Sequence, residues 1–263
     1  FKSEQRGKIR RVAGGVEGFG GPRLALPGRG GAARPCERRR LSEPSASGGG
    51  GRGMRVLRDA SDAPAIFTQC ENEAIAASGD GALFAERHLP DIRHIEVQLI
   101  GDGRQVRHLW DRDCSLQRRY QKILELAPAP GLAPDLRDAI LNAAVQLGQS
   151  ESLQSLATVE FLVEPGATPD QGWYFLEVNP RLQVEHTVTE DWLGLDLVEA
   201  QLAIASGQTL AELDLTDQPA RGHAMQLRIN AERMTALGPV AATGTLTRFQ
   251  LPGGPGIRVD THG

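Results

Sequence analysis

The sequence predicts an α+β fold in which the strands are mostly antiparallel. Apolar and polar residues alternate in "RHIEVQLIGDG", as they do in a half-buried strand. Two further strand patterns, "ATVEFLVEPG" and "GWYFLEVN", are joined by the turn-rich "EPGATPDQG", which predicts a hairpin with a long loop. One long helix is predicted in "APDLRDAILNAAVQLGQS" by the spacing of its apolar residues, Leu136, Ile140, Ala144 and Leu147.

The remaining elements follow in chain order. Ile66, Cys70 and Ala74 recur at helical spacing in "DASDAPAIFTQCENEAIAASGDG", and Gly79 is expected to end this helix. "ALFAERHL" reads as a strand, and Asp102 begins the turn that leads into the strand "QVRHLWDRD". A second helix is predicted in "DLVEAQLAIASG", where Asp196 can cap the first turn. Short strands and turns return in "GHAMQLRINAE" and "GTLTRFQLPGGPGIRVDTHG".

The composition is that of an ordinary globular protein. The chain has 263 residues, of which 40% are hydrophobic and 24% charged, enough for one large domain or two smaller ones. Three widely spaced cysteines suggest neither a disulfide framework nor a zinc site, which favours a reducing cytoplasm. Apolar runs fall short of the roughly 18 residues of a membrane span, so no membrane association is expected.

The N-terminal segment differs from the rest of the chain. Residues 1–47 hold eleven Lys or Arg against four Glu, are rich in Gly and Pro, and lack any sustained period. We therefore expect residues 1–44 to be a disordered basic Gly/Arg-rich segment. Such a segment could bind nucleic acid, but it lacks the interleaved aromatic residues that stack on bases, so no nucleic-acid partner is expected.

A row of polar residues stands out in "YFLEVNPRLQVEH". Every second residue from Glu177 to Glu185 is polar, and in an extended chain these five side chains would project from one face. A carboxylate within an apolar strand needs a partner for its charge. Two carboxylates with an amide suit Mg²⁺ or Mn²⁺. Acids on edge strands that pair with arginines would give the same sequence pattern. The far end combines a guanidinium, an amide and an acid, as a small oxyanion substrate requires. The candidate metal ligands are Glu160, Glu177 and Asn179, and the candidate oxyanion residues are Arg181, Gln183 and Glu185.

Two other stretches carry weaker signals. Successive glycines in "GGGGRGM" can direct several backbone N–H groups at one phosphate, although many such runs are linkers. "RDCSLQRRYQK" supplies Arg118, Arg119 and Lys122, which taken alone would be a solvated basic face. His186 adjoins the polar row, but a lone histidine there is more often structural.

Together these motifs resemble the biotin carboxylase family, a branch of the ATP-grasp ligases. The resemblance runs from about Ser47 to Gly263, through "GGGGRGMR", "RHIEVQ", "RDCSLQRRYQK", "APAPG", "LEVNPRLQVEHTVTE", "RGHA", "RINAE" and "PGGPGIRVDTH", in the family's order. It implies an ATP-grasp fold with largely antiparallel sheets. By the same resemblance, residues 45–88 are part of the ATP-grasp lid, 89–222 the catalytic core and 223–263 the start of the C-terminal domain.

The resemblance also implies roles for single residues. Gly48, Gly49, Gly50 and Gly51 look like the lid loop over the ATP phosphates, and nucleotide-contacting positions match Glu86, His94, Gln117 and Lys122. Glu160, Glu177 and Asn179 match the metal ligands. The bicarbonate pocket is matched by Arg181, Gln183 and Val184, the base that deprotonates bicarbonate by Glu185, and the group that steadies the biotin enolate by Arg228.

The implied function is ATP-dependent carboxylation of biotin with bicarbonate, through carboxyphosphate. ATP and Mg²⁺ or Mn²⁺ would be required, and biotin would arrive on a separate carrier domain, because the chain has no biotinylation motif. Expected partners are that biotin carboxyl carrier domain and a carboxyltransferase. A different ATP-grasp ligase, such as a carbamoyl phosphate synthetase-like protein, is the alternative, disfavoured by "RLQVEHTVTE" with "RINAE".

Some features depart from the family pattern. Pro44 stands where family members carry a lysine ahead of the glycine run, and proline offers neither charge nor a backbone donor. The family's first α/β domain has no counterpart here, and members continue beyond "DTH". We therefore expect a truncated or frame-disrupted copy, and the second functional hypothesis is a catalytically impaired ATP-binding fragment.

Overall fold

Six antiparallel strands form the main sheet of the computed structural model. It describes residues 41–44, 55, 57, 59–79, 83, 85–87, 89, 91–118, 120–213, 215, 222–236 and 238–261. The sheet strands are β3 Arg93–Asp102, β4 Val106–Arg118, β5 Gln121–Ala127, β6 Gln154–Thr168, β7 Gln171–Asn179 and β8 Ala224–Leu227. Their order across the sheet is β7-β6-β3-β4-β5-β8, and every neighbouring pair is antiparallel. The predicted α+β fold with antiparallel strands is therefore confirmed.

Turn chemistry accounts for the local connections. The Asp102 side chain accepts hydrogen bonds from the N–H groups of Arg104 and Gln105, and Gly103 has φ +84°, as a tight turn requires. The β6–β7 hairpin is present, but its strands extend to Thr168 and from Gln171, so the connection is shorter than predicted.

One face of the sheet is a dry core against a helix. Helix α2 spans Pro134–Ser150 and buries the apolar stripe predicted from the sequence. Its side chains pack on alternate residues of β3, namely Ile95, Val97 and Leu99, which are fully buried. Proline begins the helix, where its missing N–H costs nothing.

The opposite face changes from apolar to polar along its strands. Ile100 and Leu156 pack under helix α4, Leu197–Ala205, whose first turn is capped by the Asp196 side chain as predicted. Further along the same face lie Glu96 and Glu160. Helix α3, His186–Leu193, covers the sheet nearby; the sequence reading assigned no helix to these residues.

Smaller elements complete the described structure. Strands β1 Leu41–Pro44 and β2 Ala85–Arg87 pair with each other, so the predicted disorder does not extend over residues 41–44; residues 1–40 lie outside the described part. Helix α1, Ala63–Ser78, follows a 3₁₀ turn and ends at Gly79 in the left-handed conformation, as expected. None of the described helices is both long and apolar enough to cross a membrane.

The chain divides into two units. The first ends at Leu227 and the second comprises Arg228–Gly263, with a hairpin of β9 Glu232–Thr235 and β10 Gly238–Ala241. The division falls after Leu227 rather than after residue 222, because β8 pairs with β5 and belongs to the main sheet.

Close backbone packing at Gly101 generates a stability prediction. A Cβ at Gly101 would lie 2.2 Å from the carbonyl oxygen of Leu153, so Gly101→Ala forces the backbone to move. We expect a loss of about 1–3 kcal/mol in the free energy of unfolding, measured by urea denaturation. Gly253→Ala is the control, because an added Cβ there meets nothing within 4 Å. Equal midpoints for both variants would contradict the close approach.

Candidate functional site

A single ammonium group connects three buried carboxylates. Lys122 Nζ lies 3.0 Å from Glu160 Oε1 and 2.7 Å from Glu185 Oε1, and it also donates a short hydrogen bond to Glu96 Oε2. The three glutamates are 0%, 4% and 3% exposed for Glu96, Glu160 and Glu185. Buried carboxylates are costly without compensation, and this cation offsets part of the negative charge of the cluster formed by these four residues.

Strand register brings two of these acids together. Glu96 on β3 is directly opposite Glu160 on β6 in the antiparallel pairing. Like charges at directly opposed positions repel and destabilise a sheet unless a cation intervenes. The position of Lys122 between them removes this conflict.

An irregularity in β5 directs Lys122 to this face. Lys122 pairs with Gln117, whereas the next pair joins Leu124 to Leu116, so Ile123 is an extra residue opposite a continuous stretch of β4. Such bulges re-aim side chains relative to regular alternation. Lys122 therefore projects from the same face as its partner Gln117. In a regular strand Leu124, two residues later, would share that face, but the extra residue Ile123 places it opposite Leu116 instead.

A fully buried arginine holds the other side of Glu96. Arg112 Nε donates to Glu96 Oε1 at 2.6 Å, and Nη1 donates to Gln98 Oε1 at 2.9 Å and to Thr189 Oγ1 at 2.8 Å. Nη2 reaches Thr158 Oγ1 at 3.3 Å. Because Thr189 lies on α3, Arg112 ties this helix to the sheet at the edge of the cluster.

The cluster keeps its acids ionised. Burial alone would raise the pKa of Glu96, but the charges of Arg112 and Lys122 lower it overall. Burial likewise opposes ionisation of Glu160, yet the hydrogen bond and charge of His94 and the charge of Lys122 bring its pKa to about 2. Burial would lower the pKa of Lys122, and the surrounding carboxylates raise it above its ordinary value.

His94 lies beside the cluster and links it to β4. Its Nε2 is 2.7 Å from Glu160 Oε2, and its Nδ1 is 2.9 Å from Gln117 Nε2. The imidazole therefore bridges the Glu160 carboxylate and the Gln117 side-chain amide. Gln117 also donates to the carbonyl oxygen of Cys114 at 2.9 Å. Two of the four predicted nucleotide-contacting residues, His94 and Gln117, are therefore adjacent and hydrogen-bonded.

The predicted metal ligands lie together on one face. Glu160 and Glu177 are directly paired between β6 and β7. Asn179 Nδ2 is 2.8 Å from Glu160 Oε1 and 3.0 Å from Glu177 Oε1. The three side chains thus lie together, with the Asn179 amide nitrogen donating to both carboxylates and its oxygen turned toward Arg181.

The predicted bicarbonate residues border the same acids. Gln183 Nε2 donates to Glu160 Oε1 at 3.0 Å, while its Oε1 is buried and has no partner among the described residues. Arg181 is exposed, and its guanidinium donates to the carbonyl oxygen of Leu182 at 3.1 Å and to Asn179 Oδ1 at 3.4 Å. An open guanidinium and a free buried acceptor therefore lie on either side of Asn179.

The extended row predicted from alternation is wrong beyond Asn179. Strand β7 ends there, and Pro180 cannot donate to a ladder. The chain then turns, with the His186 N–H bonded to the Gln183 carbonyl oxygen at 3.2 Å, and Glu185 occupies the N-cap of α3. Gln183 and Glu185 reach the cluster through this turn and not through strand alternation.

Other predicted site residues are less completely described. Gly48–Gly51 lie outside the described residues, and Glu86 is on β2 with its side chain outside them. Val184 is 62% exposed. Arg228 begins the second unit.

The sequence did not single out Glu96, a member of the cluster, or Arg112, which bonds it, as site residues. Glu96 has the alternation signal, because it shares a face with His94 and Gln98 in "RHIEVQ". Arg112 sits between two acids in "DRD", where a surface ion pair is the ordinary expectation.

Two other groups bring potential metal ligands within 4.8 Å of one another. They are His94 with Glu96 and Glu160, and Cys114 with Glu96 and Glu185. The Lys122 ammonium contacts the acids of both groups. Burial raises the pKa of the Cys114 thiol, which disfavours the thiolate that metals bind. Mg²⁺ prefers carboxylate oxygens, which Glu160 and Glu177 offer side by side.

Comparison with known proteins decides the family. Residues 44–213 match the family model of the carbamoyl-phosphate synthase L chain, ATP binding domain. The chain belongs to this family. Among its relatives, pyruvate carboxylase of Aspergillus niger is 47% identical over 219 residues, and mitochondrial pyruvate carboxylase of Homo sapiens is 44% identical over 219 residues. Each alignment covers 82% of this chain and 18% of the relative's length.

Solved structures specify the branch. A biotin carboxylase–β-γ-ATP complex from Campylobacter jejuni superimposes with a TM-score of 0.74 at 34% identity, covering 90% of this chain and 52% of that chain. The biotin carboxylase domain of Hydrogenobacter thermophilus 2-oxoglutarate carboxylase gives 0.79 at 32%, covering 96% and 55%. The protein is homologous to biotin carboxylase domains and has their ATP-grasp fold, as its motifs predicted. It spans about half the length of these solved chains.

The low pKa of Glu160 generates a prediction about acid stability. A carboxyl whose pKa falls from 4.5 to about 2 on folding stabilises the fold above pH 4.5, and this contribution is lost as the pH drops toward 2. The shift corresponds to on the order of 3 kcal/mol. We expect Glu160→Gln to flatten the fall in unfolding free energy between pH 4.5 and 2, measured by chemical denaturation. The same change at the exposed Glu199 is the control, and identical pH dependence of both variants would contradict the ion-pair cluster.

Proposed function

We propose that this chain forms the part of a biotin carboxylase that binds ATP and activates bicarbonate for the carboxylation of biotin. The observation that carries the proposal is the Lys122 ammonium shared by Glu96, Glu160 and Glu185, beside a side-chain set suited to a metal. Lys122 thereby contacts both Glu160, a proposed metal ligand, and Glu185, the proposed base. Phosphoryl transfer depends on this kind of positioning and charge neutralisation.

Glu185 is proposed to act as the general base. It takes the proton of bicarbonate, and an oxygen of the resulting carbonate attacks the γ-phosphorus of ATP. The bond between that phosphorus and the bridging oxygen to the β-phosphate breaks, giving carboxyphosphate and ADP. Carboxyphosphate then breaks down to CO₂ and phosphate, phosphate accepts the N1′ proton of biotin, and the biotin enolate captures CO₂.

Bicarbonate would lie between the base and Arg181. The guanidinium is accessible and presents a planar fork to an oxyanion. The free acceptor of Gln183 can receive the bicarbonate O–H before proton transfer, since this oxygen is buried without a partner among the described residues. The backbone of Val184 borders the same space, because it connects Gln183 to Glu185.

His94, Gln117 and Lys122 are proposed nucleotide contacts, together with Glu86 and the glycine run Gly48–Gly51. Lys122 is engaged by three carboxylates, so a phosphate oxygen would replace one of them. Mg²⁺ would be held by oxygen atoms of Glu160, Glu177 and Asn179, which requires the Asn179 amide oxygen in place of the nitrogen that contacts both carboxylates here. When bound, the ion supplies positive charge against the phosphates; Mn²⁺ accepts the same oxygen ligands.

The remaining assignments rest on relatives. The Hydrogenobacter thermophilus domain was solved with MgADP and bicarbonate, which are the ligands proposed here. Biotin would be delivered on a separate carrier domain and steadied by Arg228, and a carboxyltransferase would pass the carboxyl group to the final acceptor. Pyruvate is one such acceptor, by similarity to the pyruvate carboxylases.

The second candidate function is ATP binding without carboxylation. Pro44 favours it, because a proline supplies no charge at the position before the glycine run. The two candidates differ in one measurable property, since both bind MgADP but only the first hydrolyses ATP in a bicarbonate-dependent reaction stimulated by free biotin.

Glu185→Gln tests the proposed base. Glutamine keeps the size of the side chain but cannot accept a proton, so bicarbonate-dependent ATP hydrolysis should fall by roughly 10²- to 10⁴-fold. MgADP affinity, measured by calorimetry, should remain within about threefold. Glu199→Gln is the matched control on the exposed face of α4. Near-normal hydrolysis in Glu185→Gln would contradict its role, whereas MgADP binding without any wild-type hydrolysis would favour the second candidate.

A further inference from the structure

The side-chain amide of Gln226 bridges both sides of Glu185. Its Oε1 accepts a short hydrogen bond from Thr187 Oγ1, and its Nε2 donates to the main-chain oxygen of Val184 at 3.3 Å. Gln226 lies on β8, and these two hydrogen-bond partners are outside the cluster around Lys122. We propose that Gln226 is a positioning residue that holds the Glu185 carboxylate against Lys122; this role rests on the proposed function of Glu185 as a base.

The segment that carries Glu185 is held by a few separate contacts. Residues 180–185 form no regular element; the His186 N–H bonds the Gln183 carbonyl oxygen at 3.2 Å, and the Gln183 side chain donates to Glu160 at 3.0 Å. Val184 is largely exposed and contributes little packing. Glu185 is the N-cap of α3, yet its side chain makes no capping bond and instead contacts Lys122.

The next anchor lies further along α3. Thr189 bonds the buried Arg112, which fixes the helix one turn after its start. Between Pro180 and Thr189, the side chain of Gln183 bonds Glu160 and Val188 is buried, while the clamp formed by Gln226, Val184 and Thr187 holds the main-chain oxygen of Val184, directly before Glu185, to the sheet. A carboxylate that must accept a proton needs its position held to a fraction of an ångström.

Glutamine is suited to this position because it donates and accepts. The Val184 carbonyl requires a donor and the Thr187 hydroxyl requires an acceptor, and one primary amide provides both. β8 also pairs Gln226 directly with Glu125, which is fully buried. A neutral amide at this position avoids placing two carboxylates opposite each other.

The test uses three variants of the full chain. Gln226→Leu removes both bonds, Thr187→Val removes one, and the double variant removes no further contact. We expect Gln226→Leu to lower kcat/KM for bicarbonate by about 10- to 100-fold, with the KM for ATP unchanged. The double variant should resemble Gln226→Leu, because both changes remove the same clamp. Gln171→Leu, at the exposed β6–β7 turn, is the matched control.

Amide hydrogen exchange separates this inference from the proposed function. In Gln226→Leu, the His186 amide should exchange at least about tenfold faster, while the Val97 amide in the centre of the sheet stays unchanged. If wild type lacks bicarbonate-dependent hydrolysis, the proposed function fails, yet exchange still tests the clamp. Unchanged exchange at His186, or an equal loss of affinity for ATP and bicarbonate in the kinetics, would overturn the positioning role.

Discussion

The contact between the Lys122 ammonium and three buried glutamates is the interaction on which the site depends. Glu96 and Glu160 face each other across β3 and β6, and Glu185 approaches from the start of α3. Without a cation, this arrangement would concentrate negative charge where little water can screen it. Arg112 takes one oxygen of Glu96 and leaves the other for Lys122, so the two cations divide the work.

The alternation of apolar residues was sufficient to predict the central strands, and their helical spacing was sufficient to predict α2, because one face of each element is dry and must be apolar. The polar residues selected from the sequence also lie together, including Glu160, Glu177 and Asn179. The structural reason why these residues lie together differs in part from the predicted one. Strand alternation explains Glu177 and Asn179, whereas Gln183 and Glu185 arrive through a turn after Pro180. Short polar segments beside a proline carry no periodic signal that would distinguish these two conformations.

Contacts that depend on strand register were not accessible from the residue patterns, although the family resemblance had already selected Lys122. Glu96 becomes part of the cluster because it is paired with Glu160, and Lys122 because Ile123 is an extra residue in β5. Both depend on how strands align, which local patterns do not specify. Helix α3 is eight residues long and contains two threonines and a valine, so its helical propensity is weak. It is held by packing and by the bond from Arg112 to Thr189.

A double-mutant cycle between Lys122 and Glu185 tests the central interaction most directly. The free energy of unfolding at pH 7 would be measured for wild type, Lys122→Met, Glu185→Gln and the double variant. If the two groups form an ion pair, the sum of the losses of unfolding free energy in the two single variants exceeds the loss in the double variant by at least about 1 kcal/mol. The reason is that each single change leaves a buried partner uncompensated. Additivity within about 0.5 kcal/mol would mean that the two groups do not interact, and would contradict the ion-paired cluster as the organising contact of the site.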